Sequence, residues 1–248
     1  MRADQIAVSP CSNPEMPLDE ALAAYSRLGY RKFEVFTGWA KSAFDFRRDP
    51  SFYREKARQY GLAFSSLHLP SVSDDLGSSL PVAVQAARFA EAIGAPVVLF
   101  KATSRENYVR AARPFLDAIE GLAVTPVLQN HFGTPISSLE DFRQVIEGIA
   151  DERMKSLLEV GHFHSAGVSW RQGCDLLGRS IALVHVKDQI GRQSVPFGTG
   201  EIDLPGLFRH MESVGYGGDF VVEMEVKDRE NTLTYLADAM SYLKEFFQ

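Results

Sequence analysis

Three residues of this chain have the chemistry to hold a divalent cation, and each stands at the end of an apolar run. Glu159 closes SLLE, His185 lies in IALVHVKD and Glu223 closes DFVVE. Two carboxylates and a neutral imidazole supply oxygen and nitrogen donors and enough charge to offset a 2+ ion. A fourth candidate, Gln129 in TPVLQNHFG, can donate only through a neutral carbonyl oxygen. A cation held this way polarises a carbonyl and stabilises the enediolate left when a neighbouring proton is removed. Glu223 then has the chemistry of the base, Glu159 stands beside it, and His162, just past the Glu159 run, can act as an acid. Glu34, His68, Lys101 and Lys187 end or follow other apolar runs and read as substrate contacts. Lys101 has Glu34 or Glu159 as an ion-pair partner and, failing one, the chemistry of a Schiff-base lysine. Lys187 and Asp188 can pair with each other. Trp39 can cover the apolar face of a sugar, and Arg192 can clamp a carboxylate or phosphate.

Side chains so far apart in sequence meet only if the elements carrying them repeat. Short β-rich runs alternate with amphipathic stretches from end to end. The β runs fall at 5–10, 32–38, 62–70, 95–102, 123–130, 154–161, 181–188 and 218–226, each followed by a helical pattern. Asp49 before Pro50 reads as an N-cap with proline at the first helical position, and Gly29 as a helix stop. Pro114 falls inside a helical pattern, where it predicts a kink. Eight strand–helix units in 248 residues is roughly 31 residues per unit, the length of a βαβ repeat. The β runs are almost wholly apolar, as parallel strands covered on both faces must be. The expected fold is therefore an α/β (β/α)8 barrel over 1–248 as a single domain, with its active site at the C-terminal ends of the strands. The first turn lacks GxGxxG, which disfavours a doubly wound dinucleotide fold.

The succession LQNH, LLEVGH, HVKD, PFGTGEID and VVEME resembles the xylose isomerase-like TIM barrels. That superfamily holds sugar phosphate isomerases and epimerases, hydroxypyruvate isomerase, inosose dehydratase and the family 2 AP endonucleases. The resemblance implies that Gln129, Glu159, His185 and Glu223 are the metal ligands. It also marks two departures: Glu159 stands where the family has Asp, and Gln129 where it has Glu. The second removes one of the two carboxylates that move protons in the isomerases. The implied function is a divalent-metal-dependent isomerase or epimerase of a small polyhydroxy carbonyl compound. The alternatives are a lyase that dehydrates a keto-sugar or keto-polyol and a catalytically degenerate sugar-binding member. The donor set suits Mn2+ or Mg2+ and also accepts Zn2+ or Co2+. Gly198, Gly200 and Asp203 read as a tight turn and a helix cap.

The bulk properties agree with a small-molecule enzyme. A net charge of −6 and a pI near 5.6 speak against nucleic acid as a partner. No run is long and apolar enough for a membrane span, and the start of the chain has no leader pattern. Cys11 and Cys174 are too far apart for a redox or zinc motif, so the cytoplasm is the expected location. The sequence leaves the oligomeric state open; the resemblance implies outer helices able to pair into a homo-oligomer.

Overall fold

The computed structural model describes residues 1–248. Eight parallel strands close into a barrel: β1 (Ile6–Val8), β2 (Lys32–Phe36), β3 (Ala63–His68), β4 (Val97–Leu99), β5 (Thr125–Gln129), β6 (Lys155–Glu159), β7 (Ile181–Val186) and β10 (Asp219–Val222). They pair in chain order, and β10 closes the ring against β1. The remaining two strands, β8 (Asp188–Ile190) and β9 (Gln193–Val195), form an antiparallel hairpin above β7. The sequence pattern did not announce this hairpin. No helix is long and apolar enough to cross a membrane.

The helices form where their caps predict. Asp49 accepts from the Ser51 N–H to start α2 (Pro50–Tyr60), which ends on left-handed Gly61. Gly29, with φ of 96°, turns the chain after α1 (Leu18–Arg27). The helix α4 (Arg105–Ala118) runs through Pro114 unbroken, and α3 (Leu76–Ile93) likewise contains Pro81. The expected strand over 154–161 ends early: Val160–Ser165 is a short helix, α6, capped by Glu159 itself.

The alternation of side chains along each strand explains the whole site. Ala7, Leu99, Val127, Leu157, Leu183 and Val221 form an apolar plug inside the barrel, apart from the larger core between strands and helices. Two residues further along, the inward positions are Lys101, Gln129, Glu159, His185 and Glu223. Another two give Lys187 and Glu225. A lumen filled with aliphatic side chains thus turns polar at one level, and only toward the C-terminal ends. At the opposite end, Asp219 binds the Lys32 ammonium at 2.6 Å and the Ser65 hydroxyl at 2.9 Å, closing the floor.

Candidate active site

The polar level opens into a cavity of about 600 Å³. Its wall includes Trp39, His68, Lys101, Gln129, His131, His162 and Glu223. Beneath the wall lie Glu159, His185 and Glu34, all with no exposed surface.

Glu159, His185 and Glu223 converge, each offering a donor atom within 4.8 Å of the others. Each is held from behind. The Asn130 side chain donates to the Glu159 carbonyl at 2.9 Å and accepts from the Glu159 N–H at 3.0 Å, pinning β5 to the end of β6. The Gly161 N–H binds Glu159 Oε1 at 2.8 Å, which leaves Oε2 aimed inward. Glu223 is fixed through its backbone, whose N–H donates to the Val186 carbonyl, while the next N–H, of Met224, donates to Ser12 Oγ.

His185 lies between two acids. Its Nε2 is 2.9 Å from Glu34 Oε1 and its Nδ1 is 3.1 Å from Glu223 Oε1. A carboxylate behind one ring nitrogen fixes the tautomer and points the other nitrogen at a cation. Glu34 was expected to touch substrate. It is instead fully buried behind His185, where it also accepts from Ser66 Oγ at 2.8 Å and lies 3.1 Å from His68 Nε2. The distances to both imidazoles are short, but neither contact has hydrogen-bond alignment. Glu34 Oε2, Glu159 Oε2, His68 Nε2 and both His185 ring nitrogens are left without partners. Buried polar atoms are rarely left so, because each costs about 1–3 kcal/mol. The residues that carry them here fall in two groups that share His185, Glu34 with His68 behind its Nε2 and Glu159 with Glu223 around its Nδ1. The second group, two carboxylates and an imidazole, fits a cation.

The electrostatics follow from burial working against neighbouring charge. Burial pushes the Glu34 carboxyl up, but the charges of His185 and His68 outweigh it and hold the group well below the usual range. His185 moves the other way: burial lowers it, while Glu34 and Glu223 raise it well above an ordinary imidazole. Burial would raise Glu223 too, yet Lys187 and His185 keep it ionised. Glu159, more weakly paired, is pushed up by burial and by the Glu223 charge. Burial brings His68 down to about 4 and, with help from Lys187 and His131, His162 down to about 2. Both are neutral imidazoles at neutral pH.

The other expected residues fall into place unevenly. Gln129 lines the cavity and its side chain makes no hydrogen bond, so its amide oxygen is free. Lys101 also lines it, but pairs with neither Glu34 nor Glu159; burial, the larger effect, lowers its pKa against the pull of Glu34 and Glu223. Trp39 stands at the mouth, 71% exposed, with a positive φ of 72°. Arg192 lies away from the cavity, its guanidinium 4.3 Å above the Phe132 ring. Lys187 and Asp188 do not pair. Asp188 accepts from the Gly198 and Gly200 N–H groups, both at 2.9 Å, and so anchors the glycine loop. Lys187 turns into the acids instead, 2.6 Å from Glu223 and 2.7 Å from Glu225. Asp203 caps the helix α8 (Leu204–Ser213) as expected.

Three wall residues have no role assigned from sequence, although His131 stands among the strand-end residues. Glu225 is the next inward position after Glu223, a signal the alternation carries. His131 stacks on His162 at 3.7 Å between ring centres, and Cys11 comes from the loop after β1. His131, two places past Gln129, stands at a strand end that the sequence marks, whereas Cys11 has no local pattern that would mark it.

Known proteins share this architecture. An inosose dehydratase of Mesomycoplasma hyopneumoniae is 22% identical over 97% of this chain and 95% of its own length. Among solved structures, the IolI protein with a bound zinc atom superposes with a TM-score of 0.80 at 14% identity, covering 98% of this chain and 99% of that one. The probable 3-DHS dehydratase AsbF of Bacillus anthracis gives a TM-score of 0.79 at 13% identity, with 98% and 99% covered. At such identities the structural likeness shows the fold. The model of the family "Xylose isomerase-like TIM barrel" matches residues 22–246. With that match and the closed eight-stranded ring, this chain belongs to the xylose isomerase-like TIM barrel family.

Proposed function

We propose that the chain is a divalent-metal-dependent dehydratase of a small cyclic keto-polyol. Glu159, His185 and Glu223 would hold the cation, with the Gln129 amide oxygen as a neutral fourth donor. When bound, the cation polarises the substrate carbonyl and stabilises negative charge on its oxygen.

One observation favours elimination over epimerisation. Gln129 and Glu223 face the same cavity from strands three places apart round the ring, and only Glu223 can carry a proton. Epimerisation takes a proton from one face of a carbon and returns one to the other, so it needs a base on one side and an acid on the other. A syn elimination needs only one such group, on one face. Glu223, kept ionised by Lys187, takes the proton next to the carbonyl, and the C–H electrons form the new double bond. The C–O bond on the next carbon breaks, and Glu223 returns its proton to the departing hydroxide, which leaves as water. The neutral His162 imidazole, on the same wall, donates a hydrogen bond to that oxygen. Lys101 offers the cavity an ammonium with no partner of its own, and Trp39 covers the mouth. The inosose dehydratase relatives agree with this substrate class.

The test is product mass after incubating Mn2+-loaded protein with inosose and with open-chain keto-sugars. The expected product is lighter than its substrate by one water. A product of unchanged mass, with solvent hydrogen exchanged into it, would replace this reading with the epimerase one. That second reading is supported by the fold shared with 3-keto-D-glucoside 4-epimerase YcjR of E. coli.

A further inference from the structure

We propose that Lys187 fills the second cation position of a two-cation cluster with its own ammonium, so that the chain takes up one metal ion where its donors are laid out for two. This rests on the metal reading above. Three donor sets overlap, each with donor atoms within 4.8 Å of one another. Glu34, His68 and His185 form one, below the cavity. The other two, Glu159 with His185 and Glu223, and Cys11 with Glu223 and Glu225, share Glu223, as a paired-ion site shares a bridging carboxylate.

The Lys187 ammonium sits in the set of Cys11, Glu223 and Glu225. Its Nζ is 2.6 Å from Glu223 Oε2, 2.7 Å from Glu225 Oε2 and 3.8 Å from Glu159 Oε2, with the side chain only 1% exposed. Glu159 Oε2, completely buried, has no hydrogen bond and faces this ammonium and the set it forms with His185 and Glu223. The stem of Lys187 reaches the cluster by crossing Gly161, where a Cβ would overlap the lysine Cγ and Cδ. The position is therefore built for the lysine: a glycine on the far side makes its path, and three carboxylates receive its head.

Charge gives the same reading. With Glu159 ionised, as a ligand to a cation is, Glu34, Glu159, Glu223 and Glu225 carry four negative charges. One divalent ion with the ammoniums of Lys187 and Lys101 balances them. A second divalent ion beside both ammoniums would leave an excess of positive charge in a buried site, which is costly. The fixed ammonium also lies next to Glu223, the proposed base, and holds it charged without occupying a position that a substrate oxygen could take.

Cobalt(II) titration of chelator-stripped protein reads the number of sites and the ligand type. The native protein should take one equivalent and show no thiolate-to-cobalt absorption band. Lys187→Met should take two equivalents and gain that band from Cys11, and the band should vanish in the Cys11→Ser/Lys187→Met double variant. If Lys187→Met proves unfolded without metal, its refolding should need two equivalents. Saturation of Lys187→Met at one equivalent, its refolding with one or its failure to refold with any, or uptake of two by the native protein, would overturn the proposal. Native protein that binds no cobalt at all would overturn the metal reading and this inference together.

Discussion

At the residue scale, a site made of ordinary amino acids owes its character to who stands behind whom. Glu34 touches no cavity surface, yet its charge, 2.9 Å from His185 Nε2, raises the imidazole's pKa. Glu34→Gln keeps the shape and removes the charge, so the imidazole loses its counter-charge. Divalent-cation affinity should fall about tenfold or more. Calorimetric Mn2+ titration would check it, and unchanged affinity would mean that His185 is oriented by packing alone. Gln129→Glu tests the opposite change. A carboxylate replacing the amide adds a charged donor, and ligand charge count raises cation affinity. Mn2+ should bind about tenfold more tightly, and dehydration should slow relative to solvent exchange of substrate hydrogen. An affinity no higher than the native value would place Gln129 outside the cation's reach.

At the element scale, the strand ends are fixed by a few polar clamps where the ladder stops. Asn130 follows Gln129 and looks like another site residue in TPVLQNHFG. Its side chain instead completes the β5–β6 pairing with two hydrogen bonds to the Glu159 backbone. Asn130→Ala leaves a buried N–H and a buried C=O unpaired and should cost about 2–4 kcal/mol, read as a lower denaturation midpoint in urea. The glycine loop works in a similar way. Gly200 lies so close to Asp188 and to the Gln189 carbonyl that a methyl group would strike both. Gly200→Ala should therefore destabilise by about 1–3 kcal/mol through overpacking, whereas Gly217→Ala, with open space at its Cβ position, should not. Equal effects from the two would show that the loop yields freely.

At the scale of the whole molecule, the barrel divides stability from chemistry along its axis. Its floor holds the Lys32–Asp219 pair, its middle the aliphatic plug, and its top the acids, imidazoles and lysines. Lys32→Met should lower stability by about 1–2 kcal/mol, as a partly buried charge-assisted bond is lost. It should leave Mn2+ affinity unchanged, since the plug separates the two levels. A parallel loss of affinity in the same variant would show the two ends to be coupled.

The sequence by itself determined the repeat and the level of the site. Periodic apolar runs about 31 residues apart call for eight strands, and alternation then dictates that Leu157 and Glu159, or Leu183, His185 and Lys187, point the same way. That is why Glu159, His185 and Glu223 could be chosen in advance, since local spacing carries the information. Partners across the ring were a different matter. Whether Lys187 pairs with its neighbour Asp188 or with three acids, whether Glu34 meets substrate or His185, and whether Cys11 belongs to the cavity depend on distances between strands far apart in sequence. Only ring closure sets those distances. Arg192 shows the same limit in a loop, because the β8–β9 hairpin carries it away from the mouth and no periodicity announces that turn. The chain's local pattern fixes which face each residue takes, and the three-dimensional packing decides which charges meet there, because a Coulomb contact depends on a separation that no single strand contains.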